Sequence, residues 1–175
     1  MEIRQNHWTY AALSMRNIGE YFRRYYGMDD FDRELDLARA IFDGQAESYK
    51  SNDDAGGGGY CWAVPSHQMT FDFARDDFRF AENGSLRTLA DYAIQITDNM
   101  GSPCSFGDVG HYAERGPVSF RMFQGLSTAA WYYGDGAYTW ALDWMGSPQP
   151  HLECFYKKVP HAIPDRLIGL SVAPF

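Results

Sequence analysis

The sequence predicts an all-α chain, an array of antiparallel helical hairpins followed by a short C-terminal extended segment. Three observations predict it. Apolar residues recur at spacings of three and four through most of residues 8–145, short Gly or Asp-Gly breaks separate successive runs, and two longer Gly-rich stretches divide the runs into pairs. The pattern runs through residues 1–146, and a Pro-rich connector with the start of a strand occupies 147–175.

The first run is Trp8, Ala11, Ala12, Met15, Ile18, Phe22, Tyr25 and Tyr26, ended by Gly27, which suits a helix C-terminus. Asp30 is placed to cap a second helix with the stripe Phe31, Leu35, Ala38, Phe42 and Tyr49, and with Arg33, Glu34, Asp36 and Arg39 on its wet side. Residues 50–65 break the pattern with Ser51, Asn52, Asp53, Asp54 and the glycines Gly56 to Gly59. Periodicity resumes in Met69, Phe73, Ala74, Phe78 and Ala81, pauses at Asn83-Gly84, and restarts behind Ser85 with Leu86, Leu89, Ala90, Ala93 and Thr97. A second irregular stretch, residues 101–116, ends at Pro117, a residue favoured at the first position of a helix. The helix after it carries Val118, Met122, Leu126, Ala129, Ala130 and Tyr133, and Asp135-Gly136 separates it from a shorter one over 137–145. Beyond Gly146 come Pro148, Pro150, Pro160 and Pro164, then Leu167, Ile168, Leu170 and Val172, which read as a strand. A strand must pair to satisfy its backbone, so we expect the chain to be part of a longer protein or to borrow a homo-oligomeric partner.

A chain of 175 residues, 45% hydrophobic, is long enough to bury one core. The net charge of −8 weighs against binding duplex nucleic acid, which calls for a basic surface that releases counterions from phosphate. It leaves room for an acidic sugar, because a local cluster of cationic and amide groups suffices to hold one. Aromatic residues make up 17% of the chain, and several lie outside the periodic runs, where rings stack on ligands. Cys61, Cys104 and Cys154 form no CxxC pair, so neither a zinc ribbon nor a dense disulfide framework is expected and at most one disulfide could form. No apolar run approaches the ~20 residues of a membrane span, so no membrane insertion is expected. Neither HExxH, GxSxG nor GxxxxGK[ST] occurs, which lowers the zinc-protease, serine-hydrolase and nucleotide-binding readings.

Three groups carry candidate chemistry. Asn6-His7, followed by Trp8 and Tyr10, opens the first helix, where backbone N–H groups favour an anion; the plainer alternative makes Asn6 an N-cap and His7 a surface residue. Tyr60 and Trp62, with Ser66 and His67, lead into the third helix. Tyr60 and His67 are proton-transfer candidates and Trp62 a stacking platform, unless Ser66 is only a cap and His67 a first-turn residue. Asp108, flanked by Gly107 and Gly110 and followed by His111, Tyr112 and Arg115, is either a carboxylate fixed in a tight loop for function or a structural turn residue.

Taken together, hairpins joined alternately by short turns and long loops, an Asn-His pair opening one helix, a Tyr and His loop opening the next, and a Gly-Asp loop after it resemble the (α/α) toroid of polysaccharide lyases of the heparinase II/III and alginate lyase type. Pro164-Asp165-Arg166-Leu167-Ile168-Gly169-Leu170-Ser171 is similar to the crossover from that toroid to a β-sandwich. The resemblance implies part of a toroid and β-elimination on a uronic-acid-containing polysaccharide or oligosaccharide. It implies that Asn6 and His7 neutralise the uronate carboxylate, that Tyr60 or His67 supplies the base, and that Trp62, Tyr10, Asp108, His111, Tyr112 and Arg115 line the substrate. It implies no redox or nucleotide cofactor, any structural divalent metal belonging to parts beyond this chain, and a periplasmic or secreted location. The Gly-rich stretch before Tyr60 departs from those lyases, which often show a Glu there, and this leaves the choice between Tyr60 and His67 open. Two other readings compete: a toroidal glycoside hydrolase, with Asp108 paired to Asp72 or Asp53 at roughly 5 to 10 Å, and a non-catalytic carbohydrate-binding or interaction scaffold.

Overall fold

The computed structural model describes residues 6–48, 62–99, 101 and 120–146. Among them the chain is all-helical, with seven helices and no β-strand: α1 (Asn6–Tyr26), α2 (Asp32–Ser48), α3 (Ala63–Arg75), α4 (Arg79–Glu82), α5 (Ser85–Gln95), α6 (Phe120–Tyr133) and α7 (Gly136–Trp144). The expected C-terminal connector and strand lie outside the described residues. None of the described helices is long and apolar enough to cross a membrane.

α1 and α2 form the first expected hairpin. Gly27 at φ 65° ends α1, its N–H bonded to the Arg23 carbonyl at 3.2 Å. The chain then turns so that Phe22 stacks on Phe31 at 5.3 Å between ring centroids and Arg23 pairs with Asp32. α2 begins at Asp32, two residues past the expected cap Asp30, with the Phe31 carbonyl accepting from Leu35 N–H. The face that α1 buries shares Ala12 and the partly buried Met15 and Phe22 with the apolar stripe read in the sequence but departs from it elsewhere. Thr9, Ala12 and Gly19 are buried, whereas Trp8, Ile18, Tyr25 and Tyr26 are exposed. Small residues let the two helices approach: a Cβ on Gly19 would stand 2.8 Å from Leu35 Cγ.

The expected third helix is broken in two. Asp76 adopts the left-handed conformation (φ 54°), its N–H bonds to the Asp72 carbonyl, and the chain restarts as the single turn α4. Arg79 fixes that corner by bonding Asp77, Asp43 and Glu47, which joins α4 to the later part of α2. α5 opens behind Gly84 in the left-handed region, so Ser85 is its first residue rather than its cap. Its buried stripe, Leu86, Leu89, Ala90 and Ala93, is the one the sequence predicts. Gly134 at φ 61° and Asp135, whose carboxylate accepts from Ala137 N–H at 3.0 Å, turn α6 into α7 as expected.

α1, α3 and α6 are neighbours that run in the same direction. Thr9 faces His67 near the starts of α1 and α3, and Arg16 and Glu20 face Phe71, Ala74 and Arg75 further along. Ser66 faces Gln124 near the starts of α3 and α6, and Phe73 meets Trp131 near their ends. α2 runs counter to α1, α7 follows α6 through a two-residue turn, and Arg87 early in α5 lies over Tyr133 at the end of α6. α3 and α5 therefore do not pack as a simple hairpin; both lean on α6, with α4 between them.

The main core lies among α3 to α7, around Trp62, Met69, Phe80, Met122, Leu126 and Tyr138. A smaller one, centred on Ile41, Phe42 and Phe71, joins α1 and α2 to α3. Burial of the large apolar side chains in these clusters contributes roughly 1.5–3 kcal/mol each.

Candidate functional site

Because α1, α3 and α6 are parallel, their first turns lie at one end of the array. The helix dipoles there point the same way, and α3, whose start is described, carries no side-chain cap at its N-cap residue Trp62. Two of the three expected groups contribute described residues to this end.

His67 lies in the second turn of α3 and is only 6% exposed. Its Nδ1 is 2.9 Å from Thr9 Oγ1 on α1. The Thr9 hydroxyl donates to Nδ1 when the ring carries its proton on Nε2, and accepts from Nδ1 in the other tautomer. The Tyr10 ring stands edge-on to the imidazole at 4.3 Å and 70° and is itself 50% exposed. The α1 start and the His67 motif, nearly sixty residues apart in the chain, are thus brought together. Thr9, the residue that joins them, went unnoticed in the sequence because a lone polar residue on the buried face of α1 gives no apolar signal.

The remaining expected residues fall as follows. Asn6, the first described residue, is already helical rather than a cap, and His7 follows it, exposed. Trp62 was expected to stack on a sugar, but it is fully buried, with its ring against Gly125 of α6, where a Cβ would stand 3.0 Å from Trp62 Cζ3. It anchors the start of α3 in the core and presents no ring face to a ligand. Ser66 is not a cap either. The helix begins three residues earlier, and the Ser66 hydroxyl donates to Gln124 Oε1 of α6 at 2.7 Å. Tyr60, Asp108, His111, Tyr112 and Arg115, like Asp53 and the three cysteines, lie outside the described residues.

α3 carries a row of buried polar side chains below this end: Ser66, His67, Gln68 and Asp72. Gln68 Nε2 donates to Asp72 Oδ1 at 2.7 Å, one helical turn on. Burial pushes the Asp72 carboxyl up to about 7, against the opposing effect of that hydrogen bond. A carboxyl that holds its proton near neutral pH is a competent acid. Asp72 borders a narrow cleft of about 10 Å³, the space of roughly one water, with Phe73, Phe78 and Thr128 on its walls. Phe73 and Phe78 form an aromatic group with Trp131, whose ring centroid lies 5.3 Å from that of Phe73 and 5.6 Å from that of Phe78.

Gln45 Oε1 and Gln68 Oε1 are buried without a hydrogen-bond partner among the described residues, although Gln45 Nε2 donates to the Val64 carbonyl at 3.3 Å. Among the described residues no three His, Cys, Asp or Glu side chains converge as metal ligands would. The contact between α1 and α3 places an imidazole and a phenol side by side at this end, two groups able to transfer protons. No protein-family model matches the chain, and no curated protein and no solved structure matches it.

Proposed function

We propose that the chain is part of an (α/α)-toroid polysaccharide lyase that cleaves a uronic-acid-containing glycan by β-elimination at the end where α1, α3 and α6 begin. The observation that carries this reading is the joining of the Asn6-His7-Tyr10 turn to His67 through Thr9. Parallel neighbours in α1, α3 and α6, with counter-running helices between them in sequence, are in keeping with a segment of such a toroid.

In this reaction the proton on C5, adjacent to the carboxylate, is too weakly acidic to leave until the developing enediolate charge is stabilised. The first described turn of α1, with Asn6 and His7, supplies donors and dipole for that charge. A base takes the C5 proton, the electron pair forms the C4–C5 double bond, and the C4–O bond breaks with a proton delivered to the leaving oxygen. His67, its ring direction set by Thr9, and Tyr10 beside it occupy the proton-transfer positions of the described residues, and Tyr60 is the other expected base.

One observation favours a second reading, a carbohydrate-binding module without turnover: His67 is 6% exposed and one of its two ring nitrogens is engaged by Thr9. Incubation of the protein with a panel of uronate polysaccharides distinguishes the classes. Elimination gives ultraviolet absorbance from the unsaturated product. New reducing ends without that absorbance identify hydrolysis, and binding with neither signal identifies the module.

A further inference from the structure

We propose that a groove between α1, α2 and α3, separate from the helix starts, is an oxyanion-binding site built by Arg16, Arg39 and Arg75. It encloses about 140 Å³ and is walled by these three arginines with Glu20, Leu35 and Phe71. Arg16 lies seven residues beyond Thr9 on α1, about 10 Å along the helix axis from the His67 contact. The site is therefore distinct from the proposed lyase centre and does not depend on that reading.

Three guanidinium groups in one groove stand out in a chain of net charge −8. Arg23, Arg79 and Arg87 are each paired with carboxylates. Arg16 and Arg75, by contrast, are in no ion pair among the described residues, and Arg39 has only the exposed Asp36 at 3.2 Å. Such an exposed pair holds weakly and is readily exchanged for a better anion. Arg75 is also preorganised. Its guanidinium lies 5.4 Å from the centroid of the buried Phe71 ring, which is stacked on Phe42 at 4.4 Å. A guanidinium fixed in this way loses little freedom when it takes a ligand.

The ligand class follows from the donors and the room. Guanidinium forks match the paired oxygens of carboxylate, sulfate or phosphate, and one charged group with part of its carrier fills the space. Among the described residues Glu20 is the only carboxylate on the wall, which leaves the three arginines an excess of two positive charges. Its carboxylate accepts from a ligand O–H and repels an anion that has none to offer, so it favours a hydroxylated acid such as a uronate, or hydrogen phosphate, over sulfate.

Isothermal titration calorimetry of the whole protein with sodium glucuronate, sodium phosphate and sodium sulfate, at constant ionic strength in chloride, tests the site. We expect saturable one-to-one binding by at least one of the three. The stronger of glucuronate and phosphate names the source, an acidic sugar or a phosphate, and sulfate as the tightest binder would overturn the selection by Glu20. Arg16→Gln and Arg75→Gln should each weaken it about tenfold or more, as loss of a charge-assisted bond implies. Arg24→Gln, on the exposed last turn of α1, should leave it unchanged, and Glu20→Gln should tighten sulfate several-fold. Arg39→Gln, at an exposed position, serves if Arg16→Gln does not fold. Absence of saturable heat with all three anions, or equal affinity in the Arg75→Gln and parent proteins, would overturn the proposal.

Discussion

Thr9 on α1 and His67 on α3 meet at 2.9 Å through Oγ1 and Nδ1, a buried contact that sets the orientation of the imidazole at the end of the array where the parallel helices begin. Replacing Thr9 with Val keeps the shape and removes a hydrogen-bond partner of the buried His67 Nδ1. The expected cost is about 1–3 kcal/mol, read as a lower midpoint in urea denaturation. If His67 transfers a proton, Thr9→Val should also lower kcat while changing KM little, because the ring loses its orientation rather than its place.

Asp72 makes stability depend on pH. Its carboxyl titrates at about 7 in the folded chain because of burial, against about 3.9 when unfolded. The folded state therefore binds the proton more tightly. The stabilisation from protonated Asp72 is fully present below about pH 4, falls as pH rises, and is lost above about pH 7. Three pH units correspond to roughly 4 kcal/mol as an upper bound. Asp72→Asn, which keeps an acceptor for Gln68, should flatten this part of the stability profile between pH 4 and 7 and make the protein more stable than the parent at pH 8. Thermal unfolding across that range is the check; a parallel profile for the two proteins would remove the assignment.

Gly19 permits the close approach of α1 to α2. Alanine is the better helix former by about 1 kcal/mol, but its Cβ would stand 2.8 Å from two atoms of buried Leu35, an overpacking that costs about 1–3 kcal/mol. Gly19→Ala should therefore be neutral to moderately destabilising in the parent and stabilising by comparison in a Leu35→Ala background. A double-mutant cycle measures this coupling, and additivity would show that the helices adjust without strain.

The all-helical class and most turns were legible because α2, α5 and α6 bury apolar residues at regular helical spacing, as Leu86, Leu89, Ala90 and Ala93 show. α1 was legible only in part: Ala12, Met15 and Phe22 of its predicted stripe face α2 and α3, but Thr9 and Gly19 are buried with them, while Trp8, Ile18, Tyr25 and Tyr26 remain exposed. Close helix packing selects small residues, and a hydropathy pattern does not register them. The break between α3 and α4 was hidden for a similar reason. Asp76 takes a left-handed conformation without the Gly that usually marks one. At the candidate site, residue types on two motifs pointed to Tyr10 and His67, but Trp62 carried the same signal while serving the core. Only the packing of α3 on α6 separates a ring that can meet a ligand from one that holds the fold.

The most direct test follows the ultraviolet absorbance of the unsaturated product when a uronate polysaccharide is incubated with the parent protein and with the His67→Gln, Tyr10→Phe and Arg24→Gln variants. The account predicts product with the parent and Arg24→Gln proteins, and a fall of about a hundredfold or more with His67→Gln, the scale of losing a general acid or base. Full activity in both the His67→Gln and Tyr10→Phe proteins, or reducing ends formed without the absorbance, would contradict it.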